Sequence, residues 1–189
     1  MKSILLSDTQ RELHEKNIHG LLSVIDEDSS REGLKETPKR YLKFLTDFCT
    51  QPDFQFKTFE NETDEMVIVC PIPFNSLCEH HMAPFMGHGA IAYIPNKKMV
   101  GLSKLPRTLE YYSRRLQNQE RITKMVADRL MKELEPKGVA VILKAQHTCM
   151  SIRGAKCHGA FTTTSCLTGT FKDDLSCRAE FMGLVQKNL

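Results

Sequence analysis

A cysteine, a glutamate and two histidines occupy consecutive positions, 78–81, in the stretch LCEHHMAPF. Thiolate and imidazole groups are ligands that zinc prefers, and imidazole also transfers protons near neutral pH. Cys78 and His81 form a C-x-x-H pair that can hold one metal ion, while His80 is left as a spare imidazole beside it. The stretch therefore predicts half of a metal site with an acid–base group next to it.

The second half of such a site is predicted in the apolar stretch VAVILKAQHTCMSI, which is typical of a long β-strand. Because side chains alternate across a strand, His147, Cys149 and Arg153 are expected on one face. Cys149 would supply a third metal ligand, and His147 a second proton-transferring imidazole. A Cys/Cys/His set with one position left for water is the pattern of a catalytic zinc site.

Other interpretations of these residues stay open at this point. A C-x-x-H pair also arises by chance, and His147 and Cys149 could be ordinary core residues. His80 could instead complete a closed, four-ligand structural zinc site. A closed site would give His147 no reason to face the metal, so the spacing favours a catalytic ion.

The elements that must position these residues follow from the hydrophobic pattern. Residues 1–60 are predicted to form an N-terminal helical extension, and residues 61–189 a second domain. In the second domain, strands are predicted from residue 66, helices over 105–134 with Asn118 as a possible cap, then two more strands and a terminal helix. This order favours an α+β fold with an antiparallel sheet.

Composition limits the class of protein. The chain has 189 residues, 41% hydrophobic and 26% charged, which suits one domain with a small appendage. It has no apolar run of membrane-spanning length and no secretory signal, which predicts a cytoplasmic protein without a membrane partner. A net charge of +3 without a Lys/Arg block argues against nucleic acid and suits a small anion. Seven cysteines, an odd number, argue against a disulfide framework.

Four stretches together carry a family resemblance: SLCEHHMAPFMGHGAIAYIPNKKMVGLSKLPR, RRLQNQERIT, PKGVAVILKAQHTCMSIRG and TTTS. In this order they resemble GTP cyclohydrolase I, and the similarity runs from REGLKETPKR to the C-terminus. The resemblance implies a Zn2+ ion held by Cys78, His81 and Cys149, with His80 and His147 as catalytic residues. It also implies the tunnelling fold (T-fold), an antiparallel sheet with helices on one side, in a homodecamer whose sites lie between subunits.

The family converts GTP to 7,8-dihydroneopterin triphosphate and formate, in tetrahydrofolate and pterin biosynthesis. By resemblance, Glu120 binds guanine with Gln119 beside it. The expected triphosphate contacts are Ser103, Lys104, Arg107, Arg153 and Arg40. Each has a plainer interpretation, because Glu120 would also favour a helix N-terminus, the basic group could be a solvated helix start, and Arg40 could cover its own helix.

Two other functions remain as alternatives. A nitrile reductase of the same fold would need NADPH and a lone nucleophilic cysteine, and would not need the zinc ligands. A non-catalytic, zinc-binding relative would not need every acid–base and guanine position to be filled. Cys157 and His158 are not expected from the resemblance, and could form a second metal site or be incidental.

Overall fold

The computed structural model describes residues 4–189, so residues 1–3 of the predicted N-terminal region lie outside it. The chain divides into two compact units, Met1–Gln51 and Pro52–Leu189. The sequence predicted a domain boundary between residues 60 and 61, and that division stays a prediction. None of the helices in the described residues is long and apolar enough to cross a membrane.

The first unit is helical, as the sequence predicts. Its helices are α1 (Asp8–Ile25), α2 (Glu32–Lys35) and α3 (Thr37–Phe48). Helix α1 begins with a capping box, in which Ser7 accepts from the backbone of Gln10 and the Gln10 side chain accepts from the backbone of Ser7. Thr37 is the first residue of α3, and Glu36 takes the N-cap position.

The second unit alternates strands and helices. Its strands are β1 (Thr58–Glu60), β2 (Val67–Cys78), β3 (Pro84–Ile94), β4 (Lys98–Val100), β5 (Leu116–Gln117), β6 (Gly138–His147) and β7 (Thr162–Gly169). Its helices are α4 (Lys104–Ser113), α5 (Gln119–Leu134), α6 (Thr148–Ser151), α7 (Thr170–Asp173) and α8 (Leu175–Gln186). The predicted cap of α5 is confirmed, because the Asn118 side chain accepts from the Arg121 backbone N–H at 2.8 Å.

A five-stranded sheet in the order β5-β2-β3-β6-β7 forms the centre of this unit. Its strands pair antiparallel except for the short parallel pair β5–β2. Odd-numbered residues of β3 and β6, such as Ile91 and Val141, pack in one core with α4 and α5. Even-numbered residues, such as Ala92 and Ile142, pack with Phe171 of α7 on the other face. The α+β class is therefore confirmed, and the structure adds C-terminal helices on the second face.

Strand β6 ends earlier than predicted. The sequence predicted a strand through residue 152, but the register with β3 stops at the pair Phe85↔His147 and the chain turns into α6. Pro84, next in line on β3, has no N–H to continue the ladder, and its carbonyl instead accepts from the Thr148 hydroxyl at 2.6 Å. The prediction that Cys149 and Arg153 lie on the strand was wrong for this reason.

Gly87 lets β3 and β6 approach closely just before this end of the sheet. A Cβ atom at position 87 would lie 2.0 Å from the backbone oxygen of Lys144, which no side chain could tolerate without moving the strand. The glycine therefore keeps the two strands in register two residues before Phe85 meets His147.

Candidate active site

The turn between β2 and β3 carries the C-x-x-H pair. The backbone N–H groups of His81 and Met82 donate to the Cys78 carbonyl, and the Cys78 N–H donates to the carbonyl of Ala83 at 2.8 Å. Met82 closes the turn with a left-handed φ of 53°. This folding leaves the Cys78 Sγ and the His81 Nδ1 3.8 Å apart.

Cys149 reaches the same place from α6. The ligand atoms of Cys78, His81 and Cys149, here called the metal cluster, all lie within 4.8 Å of one another. Tetrahedral zinc with ordinary bond lengths separates sulfur and nitrogen ligands by roughly 3.5–3.8 Å. The cluster therefore fits a zinc ion after a closure of about one ångström, and its two thiols and one imidazole are typical zinc donors.

The electrostatics of the cluster also suit a cation. Burial, and next the neighbouring Cys78, raises the pKa of the Cys149 thiol. Two adjacent thiols are costly to ionise together, because two negative charges would lie side by side. A bound cation removes that cost, since metal binding displaces the thiol protons.

His80 lies next to the cluster without belonging to it. Its Nδ1 is 3.7 Å from the Cys78 Sγ, and its Nε2 is 3.9 Å from the Glu79 Oε1. The His80 side chain is exposed, with 67% of its surface accessible. It is therefore free to meet a ligand that approaches from solvent.

Glu79 connects the turn between β2 and β3, here called the metal-binding turn, to the start of α5. Its carboxylate accepts hydrogen bonds from both terminal nitrogens of Arg121 and one from the Asn118 Nδ2 at 3.2 Å. The Arg121 hydrogen bond lowers the pKa of Glu79, so the carboxylate stays ionised. Sequence reasoning missed this contact, although the Glu of C-E-H-H and the Arg of QNQERIT both lie within quoted motifs.

His147 is the last residue of β6 and half-buried. Its ring stacks on Phe85, with the ring centroids 4.4 Å apart and the planes 8° from parallel. Its Nε2 lies 2.9 Å from the Oε1 of Gln119. Burial lowers the pKa of His147, while the charge of Glu120 acts in the opposite direction.

The adjacent residues Gln119 and Glu120 point in different directions. Gln119 is 1% exposed, and its side chain hydrogen-bonds into the sheet. Glu120 is exposed in the first turn of α5, close enough for its charge to act on His147. Glu120 is therefore available to a ligand in this chain, whereas the Gln119 side chain is already engaged.

The predicted phosphate contacts come from three different parts of the chain. Arg153 follows α6, is exposed and acts electrostatically on the Cys149 thiol. Ser103, Lys104 and Arg107 lie at the start of α4, whereas the other end of α4 is the one beside β2, where Ser76 donates to the Ser113 carbonyl at 2.7 Å.

The basic start of α4 lies at the opposite end of that helix from Ser113. Ser113 comes nine residues after Lys104, which is about 14 Å along a helix axis. Arg40, the remaining predicted contact, is exposed on α3 of the first unit. The structure thus brings together the metal cluster, both histidines, Glu120 and Arg153, and has the basic start of α4 at the other end of that helix from its contact with β2.

Cys157 and His158 are exposed in the segment between α6 and β7. Within residues 4–189, the metal cluster is the one group of three or more His, Cys, Asp or Glu side chains spaced to hold a metal ion. The two residues are therefore not part of a second such group.

Residues 14–186 match the family model described as GTP cyclohydrolase I. The chain belongs to the GTP cyclohydrolase I family. It is 48% identical over 178 residues to GTP cyclohydrolase 1 of Hydrogenobaculum sp. (strain Y04AAS1), covering 92% of this chain and 98% of that protein. It is 51% identical over 167 residues to GTP cyclohydrolase 1 of Aquifex aeolicus (strain VF5), covering 87% and 91%. The GTP cyclohydrolase 1 of Bacillus pumilus (strain SAFR-032) is 42% identical over 189 residues.

One solved structure, the archaeosine synthase QueF-Like in the apo form, resembles part of this GTP cyclohydrolase I family member. The TM-score is 0.46 at 14% identity, over 57% of this chain and 97% of that one. Likeness at this level says nothing about activity, so the family assignment depends on the sequence relatives.

Proposed function

We propose that the chain is a zinc-dependent GTP cyclohydrolase, which converts GTP and one water molecule to 7,8-dihydroneopterin triphosphate and formate. The observation that carries the proposal is the metal cluster, flanked by His80 and His147, in a member of the GTP cyclohydrolase I family. The relatives named above carry the same activity in their names.

Cys78, His81 and Cys149 would hold the zinc ion. When bound, zinc lowers the pKa of a water molecule to about 7 and so supplies a nucleophile for C8 of the guanine ring. Loss of one ligand from a three-residue set should release the ion. We therefore expect Cys149→Ala to lose most of its zinc by metal analysis, and a full zinc content in that variant would contradict the assignment.

The two histidines would move protons on either side of this centre. Attack at C8 puts negative charge on the imidazole ring of guanine, so N7 must be protonated. His147 would donate that proton, because it is packed against Phe85 and held by a hydrogen bond. His80, exposed beside Cys78, would assist opening of the ring and the ribose.

Glu120 would select guanine over adenine. Its exposed carboxylate at the start of α5 can accept hydrogen bonds from N1–H and the 2-amino group of guanine, which adenine does not present. Burial lowers the pKa of His147 while the charge of Glu120 acts to raise it, which supports a role for the carboxylate beside the proposed acid. We therefore expect GTP and not ATP as the substrate.

The triphosphate site would be shared between subunits of a homo-oligomer, which we propose to be a homodecamer. This is supported by the start of α4, where Lys104 lies about 14 Å and Arg107 about 9 Å along the helix from the end beside β2. Co-expressed Arg107→Ala and His147→Ala chains should recover activity in mixed oligomers, because one intact site then forms between them. Failure to recover activity in demonstrably mixed oligomers would contradict the shared site.

The decisive test is to incubate the purified, zinc-loaded protein with GTP and measure formate and, after oxidation, a fluorescent pterin. ATP serves as the control nucleotide. Zinc-independent NADPH oxidation would indicate the nitrile reductase, and stoichiometric zinc without formate would indicate a non-catalytic relative. Cytoplasmic location and the absence of a nucleic-acid partner remain predictions from the sequence.

A further inference from the structure

The buried amide of Gln119 has only one possible orientation. Its Nε2 lies 2.9 Å from the backbone oxygen of Leu143 and 3.0 Å from that of Thr162. Backbone oxygens only accept hydrogen bonds, so the amide nitrogen must face them. The Oε1 of Gln119 is thereby directed at His147.

This orientation determines which ring nitrogen of His147 carries a proton. The Gln119 oxygen can only accept, so the hydrogen in its 2.9 Å contact with the His147 Nε2 must belong to the histidine. Both the neutral Nε2–H form and the imidazolium satisfy this contact, whereas the Nδ1–H tautomer does not. Within residues 4–189, no hydrogen-bond partner occupies the Nδ1 of His147.

We propose that Gln119 is a positioning residue, whose amide fixes His147 so that every proton exchanged with substrate passes through Nδ1. The inference rests on the proposed function, since it assigns an atom to the proposed acid. It differs from the expectation that the Gln119 side chain binds substrate. The 1% exposure of Gln119 and the contacts of its two amide hydrogens with Leu143, Thr162 and Thr164 also leave its side chain no group to offer GTP.

The proton transfer from His147 to the substrate ring needs no further group to carry the proton. When the imidazolium donates, its Nδ1–H bond breaks and an N–H bond forms at the substrate ring. The positive charge leaves with the proton, and the neutral Nε2–H histidine remains. This is the form that Gln119 accepts from, so the hydrogen bond holds the ring in place before and after the transfer. Stacking on Phe85 restrains the same ring from one face.

Steady-state kinetics of Gln119 variants separate this role from substrate binding. In Gln119→Met, we expect kcat to fall by about 10–100-fold, the usual effect of removing such a supporting partner, while KM for GTP stays near the wild-type value. Gln119→Glu keeps an oxygen that can accept from Nε2 when its other oxygen is protonated and donates to the backbone oxygen of Leu143 or Thr162, and it should then retain more of kcat than Gln119→Met. A rise in KM with unchanged kcat would assign Gln119 to substrate and overturn the proposal.

Ser113→Ala is the control for a merely structural role of Gln119. Ser113 is also 1% exposed, and its hydroxyl donates to the Leu109 carbonyl at 2.7 Å, away from His147. Ser113→Ala therefore loses a buried hydrogen bond without touching the ring, and kcat per folded subunit should be unchanged. If kcat in Gln119→Met, Gln119→Glu and Ser113→Ala follows only the fraction of folded oligomer, Gln119 is structural and the proposal fails.

Solid-state 15N NMR of histidine-labelled protein tests the tautomer without any turnover. The His147 signals, identified by their loss in His147→Ala, should show a protonated Nε2 and a bare Nδ1 in the neutral form. In Gln119→Met, the Nδ1–H tautomer should become detectable. A wild-type His147 protonated on Nδ1 with a bare Nε2 overturns the proposal even if Gln119 variants do not fold. Absence of GTP turnover in a wild type with the expected tautomer would instead contradict the proposed function alone.

Discussion

Helices α1 and α5 both begin at a side-chain cap but differ in how many of their residues are buried. They have 18 and 16 residues, and each starts at a side-chain cap, Ser7 in α1 and Asn118 in α5. Helix α1 buries none of its residues, whereas the residues that α5 buries are Gln119, Ile122, Thr123, Val126, Ala127, Leu130 and Leu134. The sheet supplies that burial, because α5 packs on β6 and β7.

The difference shows that the residues that specify a helix do not by themselves determine what that helix packs against. Caps and helix-forming residues are local, so they specify α1 as well as α5. Helix α5 has a sheet beneath its apolar face, and its N-terminus meets the metal-binding turn and His147. The exposed apolar residues of α1 include Leu13, Leu21, Val24 and Ile25. Matched substitutions in or beside the two helices test whether this difference in burial leads to a difference in turnover and stability.

The largest effect is expected for histidine removal. His147→Ala should lower turnover by about 10²–10⁴-fold, the usual contribution of general acid–base catalysis, while zinc and GTP binding persist. His19→Ala, in α1, removes an exposed histidine and should leave turnover unchanged. Zinc content, GTP affinity and turnover are measured on one preparation of each variant. A zinc-replete His147→Ala protein with near-normal turnover would refute the catalytic role.

Truncation of one apolar side chain in each helix compares what α5 and α1 contribute to the free energy of unfolding. Leu130 of α5 is 0% exposed, and Leu130→Ala should lower the free energy of unfolding by about 2–5 kcal/mol through a cavity in the core. Leu21 of α1 is 57% exposed, and Leu21→Ala should change that free energy by no more than about 0.5 kcal/mol. Denaturant unfolding at one protein concentration gives both values. A cost for Leu21→Ala that approaches that for Leu130→Ala would show that assembly covers the apolar face of α1.

The smallest difference is expected between the two caps. Removing an N-cap side chain costs about 0.5–2 kcal/mol, and Asn118→Ala should lie near the upper end because Asn118 also donates to Glu79. Ser7→Ala, at an exposed cap, should lie near the lower end. Zinc release to a chelator should be faster in Asn118→Ala and unchanged in Ser7→Ala. Equal release rates would show that Glu79 does not need Asn118 to hold the metal-binding turn.

The sequence predicted the elements well where the cause is local. The Asn118 cap and the α+β order of elements both follow from patterns within a few residues. The three cluster residues were also predicted, but one step of the reasoning was wrong. Cys149 was placed by strand alternation, whereas β6 ends at His147 and the α6 turn brings the thiol to Cys78.

The remaining features depend on pairings between distant parts of the chain. The role of Gln119 requires backbone oxygens of Leu143 and Thr162, which come from two different parts of the sheet. The pairing of Glu79 with Arg121 likewise joins a hairpin turn to a helix. No local pattern specifies such partners, because Gln and Glu at the start of a helix have the same propensities whether or not a strand lies beneath them.

The position of the metal-binding turn has a consequence for the order of folding. Cys78 and His81 belong to the hairpin of β2 and β3, so they come within reach of each other as soon as two neighbouring strands pair. Cys149 joins only after β6 has docked on β3, a contact between distant segments that forms more slowly. The growing chain would thus present a weak, two-ligand site first, and would hold an ion tightly only when the sheet is complete. Retention of a metal by the purified chain would then report that this part of the chain has finished folding.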